Sequence, residues 1–544
     1  MKIQKKWIVI IILCYIALMG ISFFSPVIIK NIMDRGIIEK NLQVILKFAV
    51  FLLLLAIAEE GISILQARIF LDLHNHVVLN LYMKVFQKLL HVRMKYFKQH
   101  NSTELMNRLS TDIESVSLLV DSSMLNIFRY VFQIISGIIG LFVINWRLAF
   151  LVLLIVPVKY LLIRVFADKK EKSVRDWMEA ETEFAAWFAD TIQGVQEIKL
   201  WNLYQSKQRE LRNRQKEVLG FSKKSSLLET YNLSSDSILQ GAMVTALYGI
   251  GGYFACQGKI TLGGVTAFLS YSNYVTGPIA LMFNLRFIFA QIKPSMERLK
   301  TFLKEDVEQT VKDGREIQQF KKEICFEHVK FGYEEQPVLK DISLKIKKGE
   351  KVVLIGENGS GKSTLISLLL RFFEPDEGHV YIDGLDIKDC KIESYRNLFS
   401  VVSQDIYLFH DTVRNNVVME EDVDDDLLKS IIGKLQLNSL LQSLPKGYDS
   451  VLEGNGENLS GGERQKIALL RAMIKDVPIL IFDEATAHID KEYDEFLHDY
   501  ILREFSDKTL IMITHKREHL EGMDRVYEIK EGVCKRSHKT YSYK

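Results

Sequence analysis

Apolar residues are unevenly spread along this chain. Trp7 to Ile29 carries no charge, and Lys2, Lys5 and Lys6 precede it. A hydrocarbon layer of about 30 Å is crossed by about 20 helical residues, so this run can span a membrane. It is too long for the apolar part of a signal peptide, and no A-x-A cleavage site follows it. Five further candidates come next. They are Leu42–Leu65 with Lys47, Glu59 and Glu60, Met124–Ile144 with Arg129, Leu148–Leu162 with Lys159, the uncharged Ser237–Cys256, and Gly263–Ile292 with Arg286. Six spans return both ends to one side, and the basic N-terminus favours the cytoplasm. The outer connections, Lys30–Asn41, Asn145–Arg147 and Gln257–Leu262, are short. The inner ones, Gln66–Ser123 and Ile163–Asp236, are long and charged. They still place apolar residues at helical spacing, as in Leu79, Met83, Phe86 and Leu90. This predicts helices that continue into the cytosol rather than loops. Two readings stand for Glu59, Glu60 and Arg286: they line a polar cavity, or they pair and snorkel near the inner interface.

The pattern changes near residue 303. Lys304–Lys322 (KEDVEQTVKDGREIQQFKK) is polar with little to bury, and reads as a linker. Beyond it Lys351–Ile355, Val380–Ile382 and Ile479–Phe482 read as strands, while Leu365–Phe372 and Arg464–Ile474 read as helices. The alternation predicts an α/β domain with a mainly parallel sheet. The expected division is a membrane all-α region over 1–303, a linker over 304–322 and the α/β domain over 323–544. Composition sharpens this in three ways. A chain of 544 residues exceeds one core, and the long uncharged runs exclude a purely soluble enzyme. A net charge of +2 leaves no positive excess for a nucleic-acid partner. Five scattered cysteines, with no CxxC, give neither a disulfide framework nor a zinc site.

Candidate chemistry lies in the α/β half. In VVLIGENGSGKST, Gly356, Gly361, Lys362 and Ser363 fit G-x-x-x-x-G-K-[ST] between a strand and a helix. Such a loop bends so that backbone N–H groups converge on phosphate oxygens at a helix N-terminus. Lys362 would pair with β- and γ-phosphates and Ser363 would reach Mg²⁺. Asn358, Gly359, Ser360 and Thr364 complete the set of expected ATP contacts. PILIFDEAT puts Asp483 and Glu484 at the end of a buried apolar strand, where ligands bind in open α/β sheets. Asp483 suits Mg²⁺, and Glu484 suits the orientation or deprotonation of an attacking water. In ENLSGGERQK, Ser460, Gly461, Gly462 and Glu463 open another helix, a second anion site. One nucleotide does not need two such helix ends from one chain. A second end makes sense when it closes over the ATP of a facing subunit, which implies a dimer.

LSGGE together with the phosphate loop resembles the ATP-binding cassette transporters, and six preceding spans resemble the half-size exporter type. The resemblance covers nearly the whole chain. YFKQHNSTELMNRLSTDIESV is similar to the first cytoplasmic coupling segment of exporters, and DTIQGVQEIKLWN to the segment before the second. It implies that Tyr333 of FGYEE stacks on adenine. It implies that Gln404 of VVSQDIYLF touches Mg²⁺ and water. Asp490 of TAHID matches the D-loop aspartate, and His515 of IMITHK matches the histidine that contacts the γ-phosphate. VLEGNGEN, before LSGGE, departs from the segment of many multidrug exporters and is closer to bacterial peptide exporters. Only Met1–Lys6 precedes the first span, so no N-terminal peptidase is expected. The family implies an ATPase exporting a peptide, lipid or hydrophobic small molecule, as a homodimer or with a related half-transporter. The bilayer would be a bacterial cytoplasmic membrane, with the cassette in the cytoplasm. An importer on an exporter-like frame and an ATP-gated regulator or channel stand as alternatives.

Overall fold

The computed structural model describes the chain apart from residues 1–4, 101, 121, 309–313, 334–335, 420, 422, 487–488, 517–519 and 537–544; side chains are also excepted at 5–6, 8, 102–104, 122–125, 163, 167 and 280–291. It forms two compact units. One comprises Met1–Leu90 and Ser102–Glu305, the other His91–Asn101 and Asp306–Lys544.

The helices of the first half of the sequence are α1 (Lys5–Asn31), α2 (Leu42–His91), α3 (Met94–Gln99), α4 (Ser102–Ser117), α5 (Ser122–Ile144), α6 (Trp146–Gln193), α7 (Val195–Leu200), α8 (Tyr204–Cys256) and α9 (Leu262–Lys304). Among the described residues α1, α2, α5, α6 and α8 are long and apolar enough to cross a membrane. The sixth candidate, Gly263–Ile292, lies in α9; the Arg286 side chain is outside the described residues. The long inner connections are largely helical. α2, α6 and α8 have 50, 48 and 53 residues. At 1.5 Å per residue each reaches about 75 Å, more than twice a hydrocarbon layer.

α6 packs along α8 and α5 along α9. Their shared core includes Leu141, Val152, Met243, Leu247, Phe268 and Tyr271. Gly140 permits the α5–α9 approach, since a Cβ there would lie 2.4 Å from the Tyr271 ring. Three of the charges within the spans, Glu59, Arg129 and Lys159, have ion-pair partners. Glu59 pairs with Arg129 at 2.6 Å, whereas Glu60 is exposed. Lys159 is 1% exposed; its ammonium meets Asp236 at 2.7 Å and donates to the Thr276 carbonyl at 3.1 Å. Buried Asp112 of α4 takes two bonds from Arg298 Nε of α9, at 3.0 and 3.1 Å.

The second unit is built on ten strands among the described residues: β1 (Glu323–Tyr333), β2 (Gln336–Lys347), β3 (Lys351–Ile355), β4 (Glu377–Ile382), β5 (Leu385–Asp386), β6 (Phe399–Val402), β7 (Ile479–Asp483), β8 (Thr509–Ile513), β9 (Arg525–Lys530) and β10 (Val533–Arg536). Their order is β5-β4-β1-β2-β10-β9-β3-β8-β7-β6. The run β9-β3-β8-β7-β6 is parallel, as expected for buried apolar strands. The β1–β2 hairpin and its neighbours β4 and β5 are antiparallel. Thus the parallel expectation covers the strands under the phosphate loop and fails for the hairpin. The polar positions of β1 and β2 alternate with buried ones, as a sheet edge allows.

The remaining helices are α10 (Lys362–Leu369), α11 (Ile392–Arg396), α12 (Val413–Val418), α13 (Asp425–Lys434), α14 (Asn438–Ser443), α15 (Gly461–Ile474) and α16 (Lys491–Glu504). Two apolar clusters result. One joins the hairpin, β3 and α10; the other joins α12 to α16 with the opposite sheet face. The stretch expected to bury little does bury Ile317 and Phe320, 8% and 1% exposed, in the first cluster. Two isolated apolar residues among charges leave a composition nearly unchanged, which is why they do not stand out in the sequence.

Candidate active site

Strand β3 ends at Ile355 and the chain turns through Gly356–Gly361 into α10. Gly361 caps α10 with φ +103°, in the left-handed region, and a Cβ there would lie 2.5 Å from the Leu339 side chain. A side chain at Gly356 would meet the Ile529 carbonyl at 2.3 Å. Both glycines are therefore required by this loop's shape. Asn358, Gly359 and Ser360 form its tip, and Ser360 N–H donates to Glu357 O at 3.1 Å. The Lys362 ammonium turns back onto the loop and donates to Gly356 O and Glu357 O at 2.9 and 3.0 Å. Burial pushes its pKa down, and the nearby Glu484 and Asp483 carboxylates pull it up in part.

Parallel pairing of β7 with β8 brings two sequence-distant strand ends together. Asp483 ends β7 and is 7% exposed. Burial raises its pKa, while the Ser363 hydroxyl, donating to it, lowers it. Its Oδ1 is buried with no hydrogen-bond donor among the described residues, as is the Ser360 Oγ without a partner. A buried carboxylate oxygen left unpaired is costly. Ser363, Asp483 and Gln404 supply hard oxygen donors of the kind Mg²⁺ takes, so the residues fit that ion.

Glu484 follows with φ +49°, a strained conformation for a residue with a Cβ. Its N–H donates to Ile513 O at 3.1 Å, which pins the turn to β8. The carboxylate is held from two sides. Gln404 Nε2 donates to Oε2 at 3.2 Å, and His515 Nε2 lies 2.9 Å from Oε1. Gln404, Glu484 and His515, spread over more than a hundred residues of sequence, thus form one cluster. Tyr333, at the end of β1, brings its hydroxyl to 3.4 Å from Thr364 Oγ1 of α10.

Other sequence candidates lie apart from that cluster. Ser460 caps α15, accepting from Glu463 N–H at 3.3 Å, while Glu463 Oε2 accepts from Ser460 N–H at 2.8 Å. This reciprocal cap holds Gly461 and Gly462 in the first helical turn. Leu459 and Ile467 anchor α15 in the second apolar cluster, while Leu365 of α10 belongs to the first. Among the described residues no hydrogen bond or ion pair joins Ser460–Glu463 to Gly356–Thr364. Asp490 caps α16 by accepting from Tyr493 N–H at 2.9 Å.

One contact had no signal in the sequence. Lys516, next to His515, donates to Thr486 O at 3.2 Å and pairs with Asp494, a 5% exposed carboxylate of α16. It ties the turn after Glu484 to the turn holding His515.

Both halves of the chain resemble known proteins. Residues 8–279 match the model of the ABC transporter transmembrane region, and 339–487 match that of the ABC transporter family. The chain is 25% identical to an ATP-dependent lipid A-core flippase of Syntrophus aciditrophicus, covering 93% of this chain and 84% of that one. It is 26% identical to a Staphylococcus aureus chain provisionally named a multidrug export ATP-binding/permease protein, over 94% and 91%. A bacterial Atm1-family ABC exporter solved with ATP bound has a similar fold, with a TM-score of 0.84 at 21% identity over 98% and 94% of the two chains.

Proposed function

The chain belongs to the ABC transporters, and from that premise we propose that it hydrolyses ATP at a site built around Glu484 and completed by Ser460–Glu463 of a second copy. It is an ATPase coupled to transport across a membrane, and its relatives place it with ATP-driven exporters. One observation carries the site: the Glu484 carboxylate is gripped by Gln404 and His515, beside a buried Asp483 with an unpaired oxygen.

In this reading Gly356, Asn358, Gly359, Ser360, Gly361, Lys362, Ser363 and Thr364 cradle the phosphates, with Tyr333 beneath adenine. Lys362 exchanges its two loop carbonyls for β- and γ-phosphate oxygens. Glu484 orients the attacking water and takes its proton. His515 leaves Glu484 to donate to the γ-phosphate, and Asp490 fixes the turn into α16. Ser363, Asp483 and Gln404 would hold Mg²⁺, which when bound neutralises charge on the phosphates. The positive end of α15 in the second copy closes on the γ-phosphate. The cargo is a peptide, lipid or hydrophobic small molecule, moved out across a bacterial cytoplasmic membrane with the cassette in the cytoplasm. The lipid and drug cargoes in the names of relatives support an amphipathic class.

The test is Glu484→Gln in the full chain. ATP turnover falls about 10²–10⁴-fold while ATP binding persists. Turnover within a few-fold of the natural chain would remove Glu484 from the chemistry. Comparing metabolites inside and outside cells carrying either chain names the cargo, and loss of uptake instead of export would reverse the direction.

A further inference from the structure

Segment His91–Asn101 belongs to the cassette unit, although in sequence it lies between α2 and α4. It is strapped in place at its base. Glu308 N–H donates to His91 O at 2.7 Å, and Val92 pairs with Val307. Glu308 in turn accepts from Arg396 Nη1 and Nη2 at 2.8 and 3.0 Å. α3 rises from this strap, and Lys98 sits in its last turn.

The Lys98 ammonium lies 3.8 Å from the ring centroid of Tyr333 and 5.0 Å from that of Phe373. Phe331 and Phe373 meet Tyr333 nearly at right angles, at 5.0 and 5.3 Å, so the ring is held by its neighbours. A cation at this distance is attracted by the negative face of the ring. A cavity of about 1070 Å³ opens beside it, lined by Arg93, Lys98, Tyr333 and Phe373 among others. It is ample for a nucleoside. A purine stacked on a ring lies at van der Waals distance, and an ammonium 3.8 Å above the centroid already fills that position.

We propose that Lys98 is a latch displaced by the base: its ammonium and adenine compete for the face of Tyr333, and adenine expels it on binding. The inference rests on Tyr333 being the adenine platform. The chain runs from α3 directly into α4 of the transmembrane region. Lys98 is exposed and its stem is flexible, so its release costs the cassette no core packing.

The test uses the full chain in lipid nanodiscs, with ATP turnover read against inhibition by inorganic tripolyphosphate, which has no base. Lys98→Met keeps the stem and removes the charge. The expected result is an ATP KM about two- to fivefold lower, the size of an exposed cation–π contact, with tripolyphosphate inhibition unchanged. The gain disappears in a Tyr333→Leu background. An unchanged or higher KM in Lys98→Met overturns the latch, as does an equal shift in tripolyphosphate inhibition, which marks a general effect of charge on phosphates. Tyr333→Leu alone separates the two levels. If it leaves the ATP KM unchanged, the adenine platform is wrong and the latch falls with it. If it raises the KM while Lys98→Met does nothing, the platform stands and the latch alone is wrong.

Discussion

Single side chains in this cassette are held in costly states, and the cost marks their roles. Glu484 accepts a positive φ because its N–H must reach Ile513 while its carboxylate meets Gln404 and His515. Lys351, at the start of β3, is a buried cation that donates to the carbonyls of Phe505 and Ser506, both at 2.9 Å. Burial holds its pKa below the ordinary 10.5, against the upward pull of Asp524 and Asp507. The folded chain therefore binds fewer protons than the unfolded chain between the lowered value and 10.5. Stability from this group rises with pH through that window, is fully present above 10.5, and is lost as pH falls through the folded value. Lys351→Met leaves those carbonyls without a donor and lowers the Tm at neutral pH. Its stability gap to the natural chain widens as the pH is raised through the window, which denaturant titrations at several pH values would read. A constant gap would deny that burial shifts this lysine.

Elements are joined by polar rungs as well as by apolar packing. Lys516 ties Thr486 to Asp494 and so fixes the two turns carrying Glu484 and His515. Lys516→Ala is expected to lower kcat about 10- to 100-fold through misplacement of these groups, with ATP KM nearly unchanged; Lys516→Arg recovers much of the loss. A rise in KM with kcat intact would show that Lys516 acts on binding instead. In the transmembrane region Lys159 joins α6 to Asp236 of α8 and Thr276 of α9. Asp236→Asn leaves a buried ammonium with a neutral partner and is expected to cost about 3–5 kcal/mol. Lys159→Met combined with Asp236→Leu recovers most of it, measured by thermal unfolding in detergent. These rungs are invisible in a linear reading. Lys516 and Asp494 are ordinary polar residues on a strand end and a helix, and Lys159 reads only as an interruption of an apolar run.

At the scale of the whole molecule, the proposed site draws on two copies of the chain. Leu459 and Ile467, on either side of Ser460–Glu463, belong to the second apolar cluster, and among the described residues no hydrogen bond or ion pair joins Ser460–Glu463 to the phosphate loop. The span of α2 buries none of its most apolar window within the chain, and Leu46, Val50, Leu53 and Leu54 stay exposed, a face suited to lipid or a second copy. If two copies share their sites, a Lys362→Ala chain co-assembled with a Ser460→Arg chain has one intact composite site. Turnover then returns in the mixture though absent from each variant alone, and no recovery on mixing would deny the shared site. The linear sequence by itself determined the spans, the helical reach of the inner connections, the phosphate loop and the strand ending at Asp483, because each depends on neighbours within about 20 residues. Charge-free runs report solvent, and glycine spacing reports backbone shape. Tertiary structure alone decided that Gln404 and His515 converge on Glu484, that Ile317 and Phe320 are core residues, and that the hairpin is antiparallel. It also decided that α3 lies in the cassette with Lys98 over Tyr333. The physical reason is shared: these contacts depend on which strands pair and which faces meet, and pairing across hundreds of residues leaves no local periodicity to read.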